Sequence, residues 1–306
     1  MAVTRPGPAP STWQVVTATG VGRFGAPTPR LVETSVGPVV VRDAGGRGLP
    51  VVLVHGWFAD GLTNWVQVFQ PLAQAGYRPI AVDMPGHGGS PLVGRFSIDR
   101  CATAVADVVV GAGSPHSSTG RAAVLVGYSM GGPISQTVAR DHPEQVAGLV
   151  EIATAAHIVP TGVGKGVMAG FSRAAGVAEA AGATLNFVSR FRRGAPSTGP
   201  ALDLGSHLAW TVRATSKRAL LEAAGELARF DSRSWVGDLD VVAESVVTSE
   251  DRAVPAEAQR ELARMLRAGV TDLSWGHVAC LRPGFGLATT EAVTRVVAER
   301  LRRFPA

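Results

Sequence analysis

The 306-residue sequence has only two cysteines, two lysines and no apolar run of membrane-spanning length. Cys101 and Cys280 are far apart and lack the spacing of metal ligands, which favours a reduced protein without a disulfide framework. The N-terminal residues lack the apolar segment of a secretory signal, and a membrane span needs about 20 apolar residues. We therefore expect a cytoplasmic protein without stable membrane association.

Positive charge is spread thinly along the chain. The formal net charge is +5, but the arginines are scattered along the chain. A nucleic-acid partner is therefore not expected. The hydrophobic content of 46% is typical of a folded chain with a substantial core.

Short apolar runs alternate with helical patterns along most of the chain. This alternation predicts an α/β fold with a mostly parallel sheet and helices on both faces. The predicted strands are residues 30–35, 38–42, 51–54, 80–82, 124–126, 146–153, 241–248 and 270–273. The predicted helices of the sheet region are residues 64–75, 97–110, 133–140, 256–267 and 290–301.

Two parts of the chain depart from this pattern. Residues 1–28 are rich in Pro, Gly and Thr and predict an extended N-terminal arm. Residues 156–235 have helical patterns and no convincing strand, and an insertion of this size is expected to form a helical cap over the active-site face. The core would then consist of residues 29–155 and 236–306. Cap residues that could contact a substrate, or could simply pack the cap, are Met168, Phe171, Phe187 and Trp210.

Residues 122–133, AAVLVGYSMGGP, join a predicted buried strand directly to a helix. The G-x-S-x-G pattern puts Ser129 on a tight strand-to-helix turn, where a strained backbone needs small neighbours. Gly127, Gly131 and Gly132 supply them. We expect the Ser129 hydroxyl to project at the carboxyl end of the sheet, above the positive end of the next helix.

A serine hydroxyl needs a base to become a nucleophile, usually a histidine held by a carboxylate. Asp251 and His277 each follow a predicted strand, so the chain order is Ser129, Asp251, His277. Glu250 and Asp83 are alternatives to Asp251, and His55 and His87 also lie near strand ends. No two histidines share a ligand spacing with acidic residues, so we expect no metal.

Together these segments resemble the serine-nucleophile branch of the α/β-hydrolase fold superfamily. The resemblance rests on His55-Gly56, the DMPGHG turn at residues 83–88, the serine turn, DRAVP at residues 251–255, and Gly276-His277. The stretches HGWFADGLTNW, VVTSEDRAVP and WGHVAC are also similar to esterase-like α/β-hydrolases of actinobacteria. The resemblance covers nearly the whole chain. It implies an eight-stranded, mostly parallel sheet with a helical cap inserted after strand 6.

The resemblance also implies a role for each matching residue. Ser129 would be the nucleophile, His277 the general base, and Asp251 the group that orients His277. The oxyanion hole would use the backbone N–H groups of Met130 and Trp57, with Phe58 as the neighbouring alternative. His55 would brace the oxyanion loop and His87 would belong to the glycine-rich turn. Side chains near this turn that we expect to contact the substrate are Trp57, Phe58 and Tyr128.

The serine narrows the expected chemistry. Relatives that open epoxides or displace halides attack with an aspartate, whereas a serine implies an acyl-enzyme. We expect hydrolysis, without a cofactor, of a carboxylic ester, thioester or lactone with a small to medium apolar acyl group. Carbon–carbon bond hydrolysis is less favoured, because such relatives usually continue the His-Gly loop with Gly-Pro-Gly.

Other functions stay open at this point. They are acyl transfer, a cofactor-free haloperoxidase or perhydrolase activity, and non-catalytic ligand binding on the same fold. The basic stretch at residues 190–193 is more typical of a solvated helix face than of a membrane-surface lipase. Nothing in the sequence specifies an oligomeric state.

Overall fold

The computed structural model describes residues 25–113, 123–157, 207, 210, 211 and 213–304. Most of the predicted N-terminal arm and of the predicted cap lies outside these residues. The expected substrate contacts Met168, Phe171 and Phe187 lie outside them as well.

Eight strands form one sheet with the spatial order β1-β2-β4-β3-β5-β6-β7-β8. The pairs β1/β2 and β2/β4 are antiparallel, and all other neighbouring strands are parallel. The predicted eight-stranded, mostly parallel sheet is therefore confirmed. The strands are β1 (Pro29–Val32), β2 (Val39–Asp43), β3 (Pro50–Val54), β4 (Arg78–Val82), β5 (Ala123–Tyr128), β6 (Val146–Ile152), β7 (Ala243–Thr248) and β8 (Gly269–Leu273).

Helices cover both faces of this sheet. β3 shows how: Val52 and Val54 belong to one apolar cluster and Val51 and Leu53 to the other, because successive side chains point to opposite faces. The helices are α1 (Gly61–Trp65), α2 (Phe69–Gln74), α3 (Ile98–Ala112), α4 (Gly131–Asp141), α5 (Lys217–Arg229), α6 (Ala256–Leu266) and α7 (Phe285–Arg303). One cluster contains residues of α3, α4, α5 and α6, and the other contains residues of α1, α2 and α7.

The helix predicted over residues 64–75 was wrong. The structure has two short helices there, α1 and α2, separated by a turn at residues 66–68. The reason is Pro71, whose ring in a continuous helix would clash with the carbonyl group four residues earlier, at Gln67. That carbonyl faces Gly286 of α7 instead, and a Cβ atom at Gly286 would lie only 1.9 Å from its oxygen.

The sheet brings the distant sequence motifs to one edge. His55 follows β3, Asp83 follows β4, Ser129 follows β5, Asp251 lies after β7 and His277 after β8. The carboxyl ends of parallel strands meet at the same edge, which is where open α/β sheets bind ligands. Among the helices of the described residues, none is long and apolar enough to span a membrane.

Candidate active site

Ser129 occupies the turn between β5 and α4 in a left-handed conformation, with φ of +52°. A non-glycine residue with positive φ is strained and needs support from its surroundings. The Ser129 N–H donates to the Ile152 carbonyl at 3.0 Å, and the Thr154 hydroxyl donates to the Ser129 carbonyl at 2.8 Å. The turn is thus held from β6 and the residues that follow it.

The glycines of this turn are required by close packing. A Cβ atom at Gly131 would lie 2.1 Å from the Val54 carbonyl oxygen, and one at Gly132 would lie 2.2 Å from the Thr154 hydroxyl. Side chains at these positions would push α4 away from β3 and β6. The expectation that Ser129 needs neighbours without bulk therefore has a direct steric cause.

Ser129, His277 and Asp251 form a continuous chain of hydrogen bonds. Ser129 Oγ lies 3.0 Å from His277 Nε2, and His277 Nδ1 lies 2.8 Å from Asp251 Oδ2. The Asp251 side chain is completely buried, while the His277 side chain is 29% exposed. The structure thus brings together three residues that are separated by up to 148 positions in sequence.

Asp251 is held as an acceptor on both of its oxygens. Oδ1 accepts the backbone N–H groups of Ala253 and Val254 at 2.8 and 2.9 Å, and Oδ2 accepts the Thr248 hydroxyl at 2.9 Å. Burial raises the pKa of Asp251, but the hydrogen bond from His277 and these N–H donors outweigh burial and leave the pKa below its ordinary value. The ionised carboxylate can therefore orient the imidazole and stabilise its charged form.

The two alternative acids have other surroundings. Glu250 is exposed. Asp83 is buried, and its oxygens accept the N–H groups of Gly61 and Gly89 at 2.8 and 2.9 Å. Among the described hydrogen bonds, the carboxylate that meets His277 is that of Asp251.

The loop after β3, residues 56–60, is the segment in which the sequence predicts part of an oxyanion hole, and we call it the oxyanion loop. His55 braces it: Nδ1 donates to the Gly56 carbonyl at 2.8 Å, and Nε2 accepts the Met84 N–H at 2.9 Å. Burial lowers the pKa of His55, so the ring is neutral and can be both donor and acceptor. The expected role of His55 is therefore present.

The backbone of this loop is fixed in an uncommon conformation. Phe58 has φ of +63°, and the Ala59 N–H donates to the Gly56 carbonyl at 3.2 Å. The Gly56 N–H donates to Asn64 Oδ1 at 2.7 Å. The loop begins beside the serine turn, since a Cβ atom at Gly56 would lie 3.3 Å from Ser129 Cβ.

Asp60 is the last residue of the oxyanion loop. Its hydrogen bonds were not predicted from the sequence. Its Oδ1 caps α1 by accepting the Leu62 and Thr63 N–H groups at 3.1 and 2.6 Å. Its Oδ2 accepts His207 Nε2 and the Thr211 hydroxyl, each at 2.8 Å. Burial raises the pKa of Asp60, but the hydrogen bond from His207 and the other donors lower it further than burial raises it.

The predicted site residue Tyr128 contacts the backbone of the loop that contains His277. It is 3% exposed, and its hydroxyl donates a hydrogen bond to the His277 carbonyl. Its ring packs edge-on against Trp65 and Phe285. The described contacts of Tyr128 thus hold the His277 loop, and its predicted contact with substrate stays a prediction.

The other predicted substrate contacts that the structure describes are aromatic and half-buried. The Trp57 and Phe58 rings lie 4.3 Å apart, and the Trp210 ring lies 5.3 Å from that of His207. Trp57 and Phe58 belong to the oxyanion loop. Trp210 lies between His207 and Thr211, which contact Asp60 at the end of that loop. Within the described ranges, no group of three His, Cys, Asp or Glu side chains is arranged to hold a metal ion.

Known proteins resemble this chain in sequence and in fold. A family model described as "Alpha/beta hydrolase family" matches residues 51–289. The pimeloyl-[acyl-carrier protein] methyl ester esterase of Chromobacterium violaceum is 33% identical over 230 residues, which is 72% of this chain and 83% of that protein. The protein of the same description from Vibrio cholerae is 27% identical over 221 residues, or 71% of this chain and 82% of that one.

Two further matches to proteins of this description, from Aeromonas hydrophila and Photobacterium profundum, are shorter and cover 48% and 43% of the relative. Among solved structures, an esterase from Exiguobacterium antarcticum superimposes with a TM-score of 0.68 at 20% identity. The match covers 89% of this chain and all of that one (100%), and it shows a shared fold.

Proposed function

This chain belongs to the alpha/beta hydrolase family, and from that premise we propose that it is a serine hydrolase acting on carboxylic esters. Its relatives support hydrolysis of esters in general. The finer proposal is cleavage of an ester, thioester or lactone with a small to medium apolar acyl group, through an acyl-enzyme on Ser129.

One observation carries this proposal: the continuous hydrogen-bond chain from Ser129 through His277 to Asp251, with distances of 3.0 and 2.8 Å. His277 Nε2 takes the proton of the Ser129 hydroxyl as the oxygen attacks the ester carbonyl carbon. His277 then gives this proton to the leaving alcohol. A water molecule, activated by the same nitrogen, releases the acid and restores Ser129.

The developing negative charge on the carbonyl oxygen needs donors. We assign this role to the backbone N–H groups of Met130, at the start of α4, and of Trp57, in the oxyanion loop. The positive end of α4 adds to their effect. Loss of one such donor in hydrolases typically costs about 3 kcal/mol of transition-state stabilisation, so we expect the rate to depend on the loop geometry.

The apolar acyl group is proposed from the aromatic side chains around the loop. Trp57, Phe58 and Trp210 are half-buried and offer apolar surface near the serine turn. The name of the esterases from Chromobacterium violaceum and Vibrio cholerae specifies a methyl ester of a pimeloyl group on acyl-carrier protein. A linear acyl ester is therefore the first substrate class to test. We further propose that residues 156–235 form the cap that limits acyl length.

A fluorophosphonate probe tests the nucleophile directly. We expect it to label the wild-type protein and to leave Ser129→Ala unlabelled, with unchanged circular dichroism for the variant. Labelling of Ser129→Ala, or full ester turnover by it, would refute the mechanism. A panel of nitrophenyl esters of graded chain length then gives the preferred acyl length. Product analysis with added acceptor alcohols separates a hydrolase from an acyltransferase.

A further inference from the structure

Asp60 is a buried carboxylate with two sets of donors from different parts of the chain. Its Oδ1 is bound by the N–H groups at the start of α1, close by in sequence. Its Oδ2 is bound by His207 and Thr211, which are 147 and 151 residues away. The end of the oxyanion loop is therefore tied to residues that precede α5.

The contact of Asp60 with His207 and Thr211 is buried. The Asp60 side chain has no exposed surface and that of His207 is 7% exposed. The Thr211 hydroxyl is fully buried, and it is held near Asp60 because it also lies within 3.0 Å of the His207 carbonyl. Thr211 O in turn accepts the Thr215 hydroxyl at 2.8 Å, and the Gly88 N–H donates to that hydroxyl at 3.2 Å. The network thus reaches the glycine-rich turn after β4.

Asp60 cannot easily do without these donors. A buried carboxylate that loses its partner must take up a proton or move towards water. Asp83 lies near it, and the charge of Asp60 is one of the causes that raise the pKa of Asp83, after burial itself. With two carboxyl groups in one buried region, the hydrogen bonds from His207 and Thr211 stabilise the ionised Asp60 where it caps α1.

The oxyanion loop needs such external support. Phe58, two residues before Asp60, has φ of +63°, a conformation that side chains other than glycine rarely adopt. A strained backbone persists only where surrounding contacts fix it from both ends. Asn64 fixes one end through the Gly56 N–H, and Asp60 fixes the other.

We propose that His207 is a positioning residue for ester hydrolysis: by donating Nε2–H to Asp60 it holds the oxyanion loop so that the Trp57 N–H faces the reacting carbonyl. This inference rests on the proposed function. His207 acts through Asp60, which its Nε2 contacts at 2.8 Å. Because the oxyanion forms only in the transition state, a displaced loop lowers kcat while substrate binding is largely kept.

The test compares His207→Leu, which removes the donor, with His207→Gln, which retains an N–H near the position of Nε2. His142→Gln is the matched control, since His142 lies at the exposed end of α4. We measure kcat and KM with a nitrophenyl ester and the inhibition constant of a trifluoromethyl ketone, which forms an oxyanion on the serine. In His207→Leu, kcat and the ketone affinity should fall at least about tenfold, with KM within about twofold.

The same constants distinguish positioning from general support of the fold. His207→Gln should recover kcat to within about threefold of wild type, and His142→Gln should equal wild type. If His207→Leu does not fold, Thr211→Val decides, because it removes the second donor to Asp60 with little change of shape. An unchanged kcat in Thr211→Val or in folded His207→Leu overturns the inference, and so does a rise in KM alone.

Failure of the proposed function has a different signature. In that case the wild-type protein neither reacts with the fluorophosphonate probe nor turns over any ester. If wild type is active and labelled while His207→Leu keeps its full kcat, the hydrolase proposal stands and only the positioning role falls.

Discussion

The amide nitrogen of Asn64 donates a hydrogen bond to the Cys280 sulfur at 3.2 Å. Asn64 Oδ1 also accepts the Gly56 N–H at 2.7 Å, so one side chain of α1 joins the oxyanion loop to the segment that follows His277. Cys280 is buried, and burial raises the pKa of its thiol. It is therefore a packed acceptor and not a second nucleophile.

Asn64→Leu should weaken both stability and catalysis. The change leaves the buried Gly56 N–H without its acceptor, which costs about 1 to 3 kcal/mol of unfolding free energy. Urea unfolding measures this loss and steady-state kinetics measure kcat. Gln67→Leu is the matched control, since Gln67 Nε2 contacts the Cys280 carbonyl at 2.8 Å and not Gly56. An equal fall of kcat in both variants would contradict a role of Asn64 through the oxyanion loop.

Asp251→Asn should lower kcat by about 10⁴, the scale seen when the carboxylate of such a triad becomes an amide. The amide cannot stabilise the charged imidazole and favours the wrong tautomer of His277. A discontinuous ester assay at high enzyme concentration can measure a kcat that is lowered by this factor. The control is Glu250→Gln, next in sequence but exposed, which should keep full activity. A large loss in Glu250→Gln would point to that residue as the acid.

Gly132→Ala and Gly225→Ala should change stability in opposite directions. Both glycines are helical, but a Cβ atom at Gly132 would lie 2.2 Å from the Thr154 hydroxyl, whereas at Gly225 it meets only the end of the Arg229 side chain at 3.3 Å. We expect Gly132→Ala to lose about 1 to 3 kcal/mol by overpacking. Gly225→Ala should gain about 0.5 to 1 kcal/mol from helix propensity. Thermal unfolding of the two variants checks the signs, and a stabilised Gly132→Ala would be inconsistent with the packing described for the serine turn.

Acid should destabilise the fold through His87. Burial lowers the pKa of His87 from the ordinary value of 6.5 to about 3. Between these pH values the unfolded chain binds a proton at His87 that the folded chain does not, so stability rises with pH across this window. The slope from one such proton is at most about 1.4 kcal/mol per pH unit.

His87→Leu removes this contribution, so the unfolding free energy of the variant should depend less steeply on pH between about 6 and 4. Denaturant titrations at several pH values give the two slopes. His142→Gln, a change at a half-exposed histidine, serves as the control for loss of an imidazole. Identical slopes for wild type and His87→Leu would show that His87 is not the group responsible.

The sequence predicts the sheet and the serine turn well because their signals are local. Runs such as Val51–Val54 indicate buried strands, and the spacing of Gly127, Ser129 and Gly131 indicates a tight turn within five residues. The break between α1 and α2 also had a local signal, Pro71, but the apolar spacing of residues 65 to 72 concealed it. Apolar residues of both helices pack into the same cluster, so the apolar spacing continues across the turn.

Contacts between side chains that are far apart in sequence could not be predicted in this way. His207 and Thr211 meet Asp60 only because the fold brings residues about 150 positions apart together, and no spacing rule reports this. The Tyr128 hydroxyl likewise contacts a backbone carbonyl of the His277 loop, a contact that residue type alone does not specify. Sequence therefore indicates the reacting groups more readily than the groups that hold them in place.

The position of β8 in the sheet has a consequence for heat resistance. β8 lies at the sheet edge and all five of its residues are exposed or half-buried, whereas every residue of β5 is buried. Local opening of an edge strand requires less free energy than unfolding of the central strands. His277 follows β8 and Ser129 follows β5, so fraying of β8 separates base from nucleophile while the interior is still intact. Heat inactivation should therefore begin at the periphery and set in below the melting temperature of the core.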